Sequence, residues 1–517
     1  MRRMKPVTLA CGTARLAAVG ALACAVAAGG AASPARAQET PLVFQGNLFD
    51  QLPEPFFPTM FRVRDLDGDG FVDLAIAGRD PDDRVMTRRG TGDGRFVPLQ
   101  TLAAPGFIDW LEVADVDGDG DDDMVAAWRG DVPRLVCYRG IGAGLFDEAT
   151  VLADVEIGGV GRDPQSVALG DFDGDGDVDI AVTNYIGQSL DIFANRGAQQ
   201  GGFAFERAAR IRLATFLGGV GYPRVAAAGD MDGDGDLDLV VNEIGGTRVA
   251  VLRNDGGRFA RPLEYRAPEI GTERPGVSGL ELVDVDGDGD LDAFCPALLL
   301  KQTQKVIAFV NDGAGRFAQT LVGEGSPTGY AFCTHMADLD GDGDGDAVSG
   351  AALPGTIAVA RRTGAGAFSF EVDFAPQFGQ LIRHLDAADV DGDCDLDIVG
   401  IDGPGRTVFV RRNVTPQQQG CGGVAEAAGG ASEPRAGAAP ATTVVREPVP
   451  QVDRNRDGAV DATDVALWLG ELSRPLRAAA VRRDGGADAK SVAVSTATST
   501  PASAPALAPT ATKGGAR

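Results

Sequence analysis

The sequence predicts an all-β fold: a seven-bladed β-propeller of four-stranded blades, closed by an N-terminal strand and followed by a small C-terminal loop and helix. Three observations predict it. A string of the form DxDGDGxxD, or a close variant, begins at Asp65, Asp115, Asp171, Asp230, Asp284, Asp338 and Asp389, in steps of 50, 56, 59, 54, 54 and 51 residues. Such a period is too long for a short-repeat coil, yet it holds four strands of about five or six residues with their turns. Composition agrees, because 72 glycines and only 6% aromatics suit short strands and tight turns better than packed helices.

Each period has the same parts. In the fourth, residues 224–229 lead in, the acidic string follows, and residues 237–241 and 247–253 supply further strands. The turn Asn254-Asp255-Gly256-Gly257-Arg258-Phe259 recurs at residues 311–317 and 90–96, where glycines supply the positive φ of a tight hairpin. A fourth strand ends each unit except the seventh, which runs into Thr415-Pro416-Gln417 after residues 408–412. A surplus segment, residues 41–49, precedes the first string and carries Leu42, Phe44 and Leu48 in a strand-like pattern. It is expected to complete the last blade and remove the free edges that invite aggregation.

A net charge of −27 argues against nucleic acid as a partner, which needs clustered Lys and Arg. Of the 74 acidic residues, 35 lie in the seven strings, so the charge is gathered into sites. Ca²⁺ takes roughly six to eight oxygen ligands in flexible geometry, which carboxylates at alternate loop positions supply. Without an ion, so many adjacent carboxylates repel one another. The side-chain ligands read from the spacing are Asp65, Asp67, Asp69 and Asp73 in the first loop and Asp115, Asp117, Asp119 and Asp123 in the second. The third has Asp171, Asp173, Asp175 and Asp179 with the Asp177 carbonyl, and the fourth Asp230, Asp232, Asp234 and Asp238. The fifth has Asp284, Asp286, Asp288 and Asp292, the sixth Asp338, Asp340, Asp342 and Asp346, and the seventh Asp389, Asp391, Asp393 and Asp397. In the seventh, Cys394 stands at the sixth position, where the others carry Gly70, Gly120, Gly176, Gly235, Gly289 and Gly343. That site is expected to be the weakest, since a side chain is strained where φ must be positive.

Seven such strings resemble the FG-GAP or VCBS repeats of integrin α-subunit propellers and of many bacterial exported proteins, over residues 41–413. The resemblance implies structural calcium loops joining the first and second strands of each blade, opposite the usual ligand-binding face. It gathers Trp110, Trp128, Tyr185, Tyr222, Arg224, Tyr330, Arg383 and His384 on that ligand face, where exposed aromatics and Arg suit sugar or protein contacts. Packing between blades is the alternative for these residues.

Residues 1–37 read as a secretory signal: Arg2, Arg3 and Lys5, an apolar run over 16–32, and Ala35-Arg36-Ala37 before cleavage. No later apolar stretch approaches the roughly 20 residues of a membrane helix, so a secreted or cell-surface protein is expected. The propeller would span 38–413, a flexible Ala/Gly/Pro/Thr linker 414–450, a second calcium site 451–474, and a disordered low-complexity tail 475–517. In that second site Asp453, Asn455, Asp457, Asp461 and Asp464, with the Ala459 carbonyl and Gly458, follow EF-hand spacing. Pro448 and Pro450 exclude a preceding helix, while Val465, Trp468, Leu469 and Leu472 form an apolar stripe after the loop. Loop and exit helix resemble half of a type I dockerin, whose partner would be a cohesin-like or other scaffold. No second half is found.

Five cysteines remain after cleavage, and export permits disulfides. The repeat geometry pairs Cys295 with Cys333 from adjacent blades, and Cys394 with Cys421 forms a second pair. His335 and His384 each precede an acidic string, and Asp109, Glu112, Glu243, Glu281 and Asp386 are the carboxylates left over. No catalytic set distinguishes itself among them. The expected function is an extracellular calcium-binding module for a glycan or protein ligand; the alternative is a polysaccharide-degrading lyase or glycosidase attached to an assembly through its tail.

Overall fold

The computed structural model describes residues 42–415, apart from 80–82, 130–132, 157–162, 198–202, 214–221, 244–245, 270–275, 278, 299–304, 325–329, 353–354, 365–366 and 375–380. The segments expected as signal (1–37), as linker beyond Thr415, as C-terminal loop and helix (451–474) and as tail (475–517), and with them Cys421, lie outside the described residues. No helix among the described residues is long and apolar enough to cross a membrane.

Seven antiparallel four-stranded blades follow one another along the chain as a β-propeller. The innermost strands of the first six are Phe57–Arg64, Phe107–Ala114, Pro164–Gly170, Pro223–Gly229, a strand split into Gly276–Val277 and Glu281–Val283, and Tyr330–Ala337. The seventh blade runs Ile382–Ala388, Asp397–Asp402, Thr407–Asn413 and then, outermost, Phe44–Gln51 from the other end of the chain. Phe44 stands opposite Asn413 and Gln51 opposite Thr407, with a bulge between Gln45 and Leu48. The N-terminal segment therefore supplies the strand that the seventh unit lacks.

The second strand of each blade is covered on both faces, which is why it reads as an unbroken apolar run. In Leu74-Ala75-Ile76-Ala77, Leu74 and Ile76 pack with Val399 and Ile401 of the seventh blade, while Ala75 and Ala77 pack with Trp110 and Leu111 of the second. The core is thus a series of interfaces between blades.

The same alternation overturns the expected Cys295–Cys333 bridge, for neither cysteine is in a disulfide and both are fully buried. Cys295 lies within the strand Asp292–Leu298, where its neighbour Phe294 faces the sixth blade and packs with Met336 and Ala347. Cys295 itself faces the opposite way and packs with Val249 and Val251 of the fourth. Cys333 faces the seventh blade, with its sulfur 3.8 Å from the Ile382 carbonyl oxygen. The two thiols therefore sit on faces pointing away from each other. Cys394 is disulfide-bonded, and since Cys137, Cys295 and Cys333 are in no disulfide its partner lies outside the described residues.

Candidate metal centres and the inner ring

Each acidic string is the hairpin between the first and second strands of its blade, so its first Asp follows the inner strand and its ninth opens the next. The first Asp folds the loop around itself. Asp65 accepts the N–H groups of Gly68 and Gly70 at 2.8 and 2.9 Å, and Asp171 accepts those of Gly174 and Gly176 at the same distances. This turn places the sixth position at φ near +90°, as in Gly70 (+90°) and Gly235 (+96°). Cys394 takes φ +75° there, and its N–H still reaches Asp389 at 3.1 Å. The strain expected at that position is present, at about 1 kcal/mol.

The ninth Asp does something the spacing did not reveal. In every blade it is buried, and both its oxygens accept backbone N–H groups, one from the second loop residue and one from the end of the third strand. Asp238, for example, receives Met231 at 3.1 Å and Asn254 at 2.6 Å, and Asp397 receives Val390 at 3.3 Å and Asn413 at 2.7 Å. Burial pushes Asp238 and Asp179 up to about 7. This residue is therefore a staple between loop and sheet before it is anything else, although a carboxylate keeps further lone pairs for an ion.

The third Asp is the loop position whose surroundings best suit a cation. The Oδ1 atoms of Asp173, Asp232, Asp286 and Asp391 are buried with no hydrogen-bond partner, an unfavourable state for a carboxylate unless a cation satisfies it. In three of these the other oxygen faces an arginine of the same blade: Arg196 at 2.9 Å from Asp173, and Arg253 and Arg412 at 3.2 Å from Asp232 and Asp391. Arg89 spans Asp67 and Asp69 at 2.8 and 2.6 Å, Arg139 spans Asp117 and Asp119 at 3.0 and 2.8 Å, and the buried Arg361 lies 3.1 Å from Asp340. Carboxylate oxygens of the first, third and ninth residues lie within 4.8 Å of one another in loops one, two, three and five, as do those of Asp230, Asp232 and Asp234 in loop four. Several of these clusters can hold a metal ion, and an all-oxygen donor set suits a hard divalent cation.

Three residues before each string, the inner strands carry Arg62, Glu112, Ala168, Ala227, Glu281, His335 and Asp386. Five of these seven join across blade boundaries. Arg62 pairs with both oxygens of Glu112 at 2.8 and 2.5 Å, and the Trp110 indole donates to the same carboxylate at 2.6 Å. His335 is buried between Glu281, at 3.2 Å from Nδ1, and Asp386, at 3.5 Å from Nε2. Burial alone would lower its pKa, but the Glu281 and Asp386 carboxylates outweigh burial and the nearby Arg62, raising it to about 9. His384, edge-on to Phe61, lies 3.1 Å from Arg62 through Nε2. These carboxylates and imidazoles bind neighbouring blades together, and so do Asp109 and Asp163, which share Arg129.

A pH dependence follows from the His335 bracket. Because the folded pKa exceeds the ordinary value near 6.5, the stabilisation is complete below about pH 6.5 and is lost as pH rises through about 9. The melting-temperature difference between wild type and His335→Gln is expected to be largest at pH 6 and to shrink by the equivalent of roughly 3 kcal/mol toward pH 9.5. A difference that stays constant with pH would show that the imidazole is not charged in the folded state.

The expected ligand-face residues divide. Trp110, Arg224, Arg383 and His384 are buried, so they are not the exposed platform anticipated for them. Arg224 reaches across the blade boundary to Gln165, and Trp110 packs beneath Arg62, whose guanidinium lies 5.5 Å from its ring centre. Trp128, Tyr185 and Tyr222 are half-buried, and Tyr185 of the third blade stacks on Tyr222 of the fourth with ring centres 4.7 Å apart. All four buried residues lie within inner strands, whereas Trp128, Tyr185 and Tyr222 lie outside them, a difference that repeat spacing alone did not resolve.

No curated protein matches the chain. Among solved structures it is similar to a lectin of Agrocybe aegerita that recognises non-reducing terminal N-acetylglucosamine, at 22% identity and TM-score 0.46, covering 66% of this chain and 88% of that one. It is also similar to a periplasmic gluconolactonase of Pseudomonas aeruginosa, at 15% identity and TM-score 0.44 over 61% and 85%, and to a rhamnogalacturonan lyase, at 13% and 0.43 over 74% and 77%. At these values the likeness says nothing of ligand or activity. The FG-GAP-like repeat model matches residues 65–126, 115–182, 171–241, 230–295 and 338–400, each match running from one acidic hairpin to the strand after the next. By that match, over more than half of its length, the chain belongs to the FG-GAP-like repeat family.

Proposed function

We propose that this chain is a secreted propeller that holds Ca²⁺ at its seven acidic hairpins as a structural ion and binds a glycan or protein ligand at the opposite end of the blades. The observation that carries the calcium reading is the set of buried, unpartnered Oδ1 atoms on the third Asp of loops three, four, five and seven. The donor atoms that these loops offer an ion are all oxygens, which favours Ca²⁺ over softer metals. The seventh site, strained at Cys394, would be the weakest. The C-terminal string from Asp453 would hold one further ion, and its attachment to a scaffold partner is part of the same proposal.

The ligand reading rests on the Tyr185–Tyr222 stack, half-buried where the inner strand of the fourth blade begins. Stacked aromatics present a rigid apolar platform with polar tips, well suited to a sugar face or a peptide. Screening the full chain on glycan and matrix-protein arrays, with calcium and with chelator, tests this. Tyr185→Ala together with Tyr222→Ala is expected to lower the ligand signal at least tenfold while the calcium-bound melting temperature moves little. Retained binding by that double variant would place the ligand elsewhere.

A further inference from the structure

We propose that the metal loops of blades two to five are mechanically coupled by an asparagine clip and fill with calcium as one cooperative block. The inference rests on the calcium reading above and adds to it how the sites communicate.

The clip is Asn195, Asn311 or Asn413, the residue ending the third strand of blades three, five and seven, and Asn254, two residues past the third strand of blade four. The backbone N–H of Asn254 donates to Asp238, the ninth residue of its own loop, at 2.6 Å. Its side-chain amide donates to the Leu237 carbonyl of that loop at 3.1 Å and, across the blade boundary, to the Phe172 carbonyl of the preceding loop at 2.7 Å. The other three repeat the pattern. Asn195 reaches back to Val116 at 2.9 Å, Asn311 to Met231 at 2.7 Å and Asn413 to Leu339 at 2.7 Å.

The carbonyl that is clipped always belongs to the second loop residue, which lies between the first and third Asp. Its N–H is already held by the ninth Asp of the same loop, so its peptide groups set the curvature that brings those carboxylates together. An ion that orders loop three fixes the Phe172 carbonyl and with it the Asn254 side chain. That side chain in turn fixes the end of loop four, so less conformational freedom remains to be lost when the next ion binds. At the corresponding position blades one and two carry Gly90 and Gly140, and blade six carries Arg362, whose guanidinium lies 3.1 Å from Asp344 of its own loop and beside Gly287 of loop five, so the contact there is made by an arginine and not by an asparagine amide. The clips therefore join loops two, three, four and five in one run and loops six and seven in a pair.

Calcium binding to the full chain, followed by equilibrium dialysis and isothermal titration, tests the coupling. In wild type, four ions are expected to enter in one steep phase. Asn254→Gly, which copies the residue that blades one and two use, is expected to split that phase and weaken its tighter half about fivefold or more, with the number of ions at saturation unchanged. Asn413→Gly is expected to act on the six–seven pair alone. An Asn254→Gly isotherm that superimposes on wild type overturns the proposal. Should that variant fail to fold, Asp234→Asn, which leaves every clip intact, is expected at half-saturating calcium to lose more than its own ion; loss of a single ion also overturns it. A wild-type chain that binds no calcium would overturn the calcium reading itself, an outcome distinct from independent filling.

Discussion

Deletion of residues 42–51 is expected to convert a monomer into an aggregating protein that has lost its cooperative melting transition. The strand Phe44–Gln51 supplies every hydrogen bond on the outer edge of Thr407–Asn413. Its flanks are anchored as well: the Val43 N–H reaches Thr415 Oγ1 at 2.8 Å, and the Leu52 N–H reaches the Arg406 carbonyl at 2.9 Å. Asp50 pairs with the buried Arg88 of the first blade, and Leu52 and Phe56 are buried between the first and seventh blades, so the strand holds the ring shut sideways as well as edge-on. Removing it exposes an unpaired strand and an apolar blade face together, the two features that most favour association through edges. Size-exclusion chromatography and calorimetry of the truncated chain check this. Moving the same segment to follow residue 415 is expected to restore the monomer, and a monomeric, equally stable truncation would mean that closure is made elsewhere.

Chelation is the second large effect. A site holding its ion at a hundredfold above the dissociation constant stabilises the fold by about 2.7 kcal/mol, and seven such sites together exceed the whole stability of an ordinary domain, roughly 5–15 kcal/mol. The arginines on the third and fifth Asp residues offset part of this by standing in as cations when no metal is present. Excess EDTA is therefore expected to lower the melting temperature by roughly 20 °C, and returning calcium to restore it. An unchanged melting curve in chelator would remove the structural role from the ions.

The acidic hairpins were legible because their signal is local: charge, glycine and spacing within nine residues determine a loop whose parts touch one another. Ring closure was legible by counting strands, since a seventh unit one strand short and a surplus strand at the other end imply each other. What the sequence concealed depends on which face of a strand a side chain occupies. Cys295 and Cys333 looked like neighbours by repeat position, yet one residue of parity sends their thiols to different interfaces. Trp110, Arg224, Arg383 and His384 looked like an exposed platform, yet they lie within inner strands that neighbouring blades cover on both faces. Asn254 and Asn311 were read only as turn formers, while their amides reach a carbonyl about 80 residues earlier in the chain, 82 and 80 positions away.

The inner ring has a consequence for how the repeats find their places. Seven units with similar hairpins and similar apolar faces could in principle stack in any order, or with a unit borrowed from a second copy of the chain. The residues three positions before each hairpin make the units unlike: Arg62 fits beside Glu112, His335 fits only between Glu281 and Asp386, and Ala168 and Ala227 offer neither charge. A ring assembled out of sequence would set Glu112 against Glu281, or leave an imidazolium buried beside an alanine, each a buried charge without its partner. The centre of the propeller thus works as a keyed joint, recording at one residue in five of its seven blades the order in which otherwise interchangeable parts must meet.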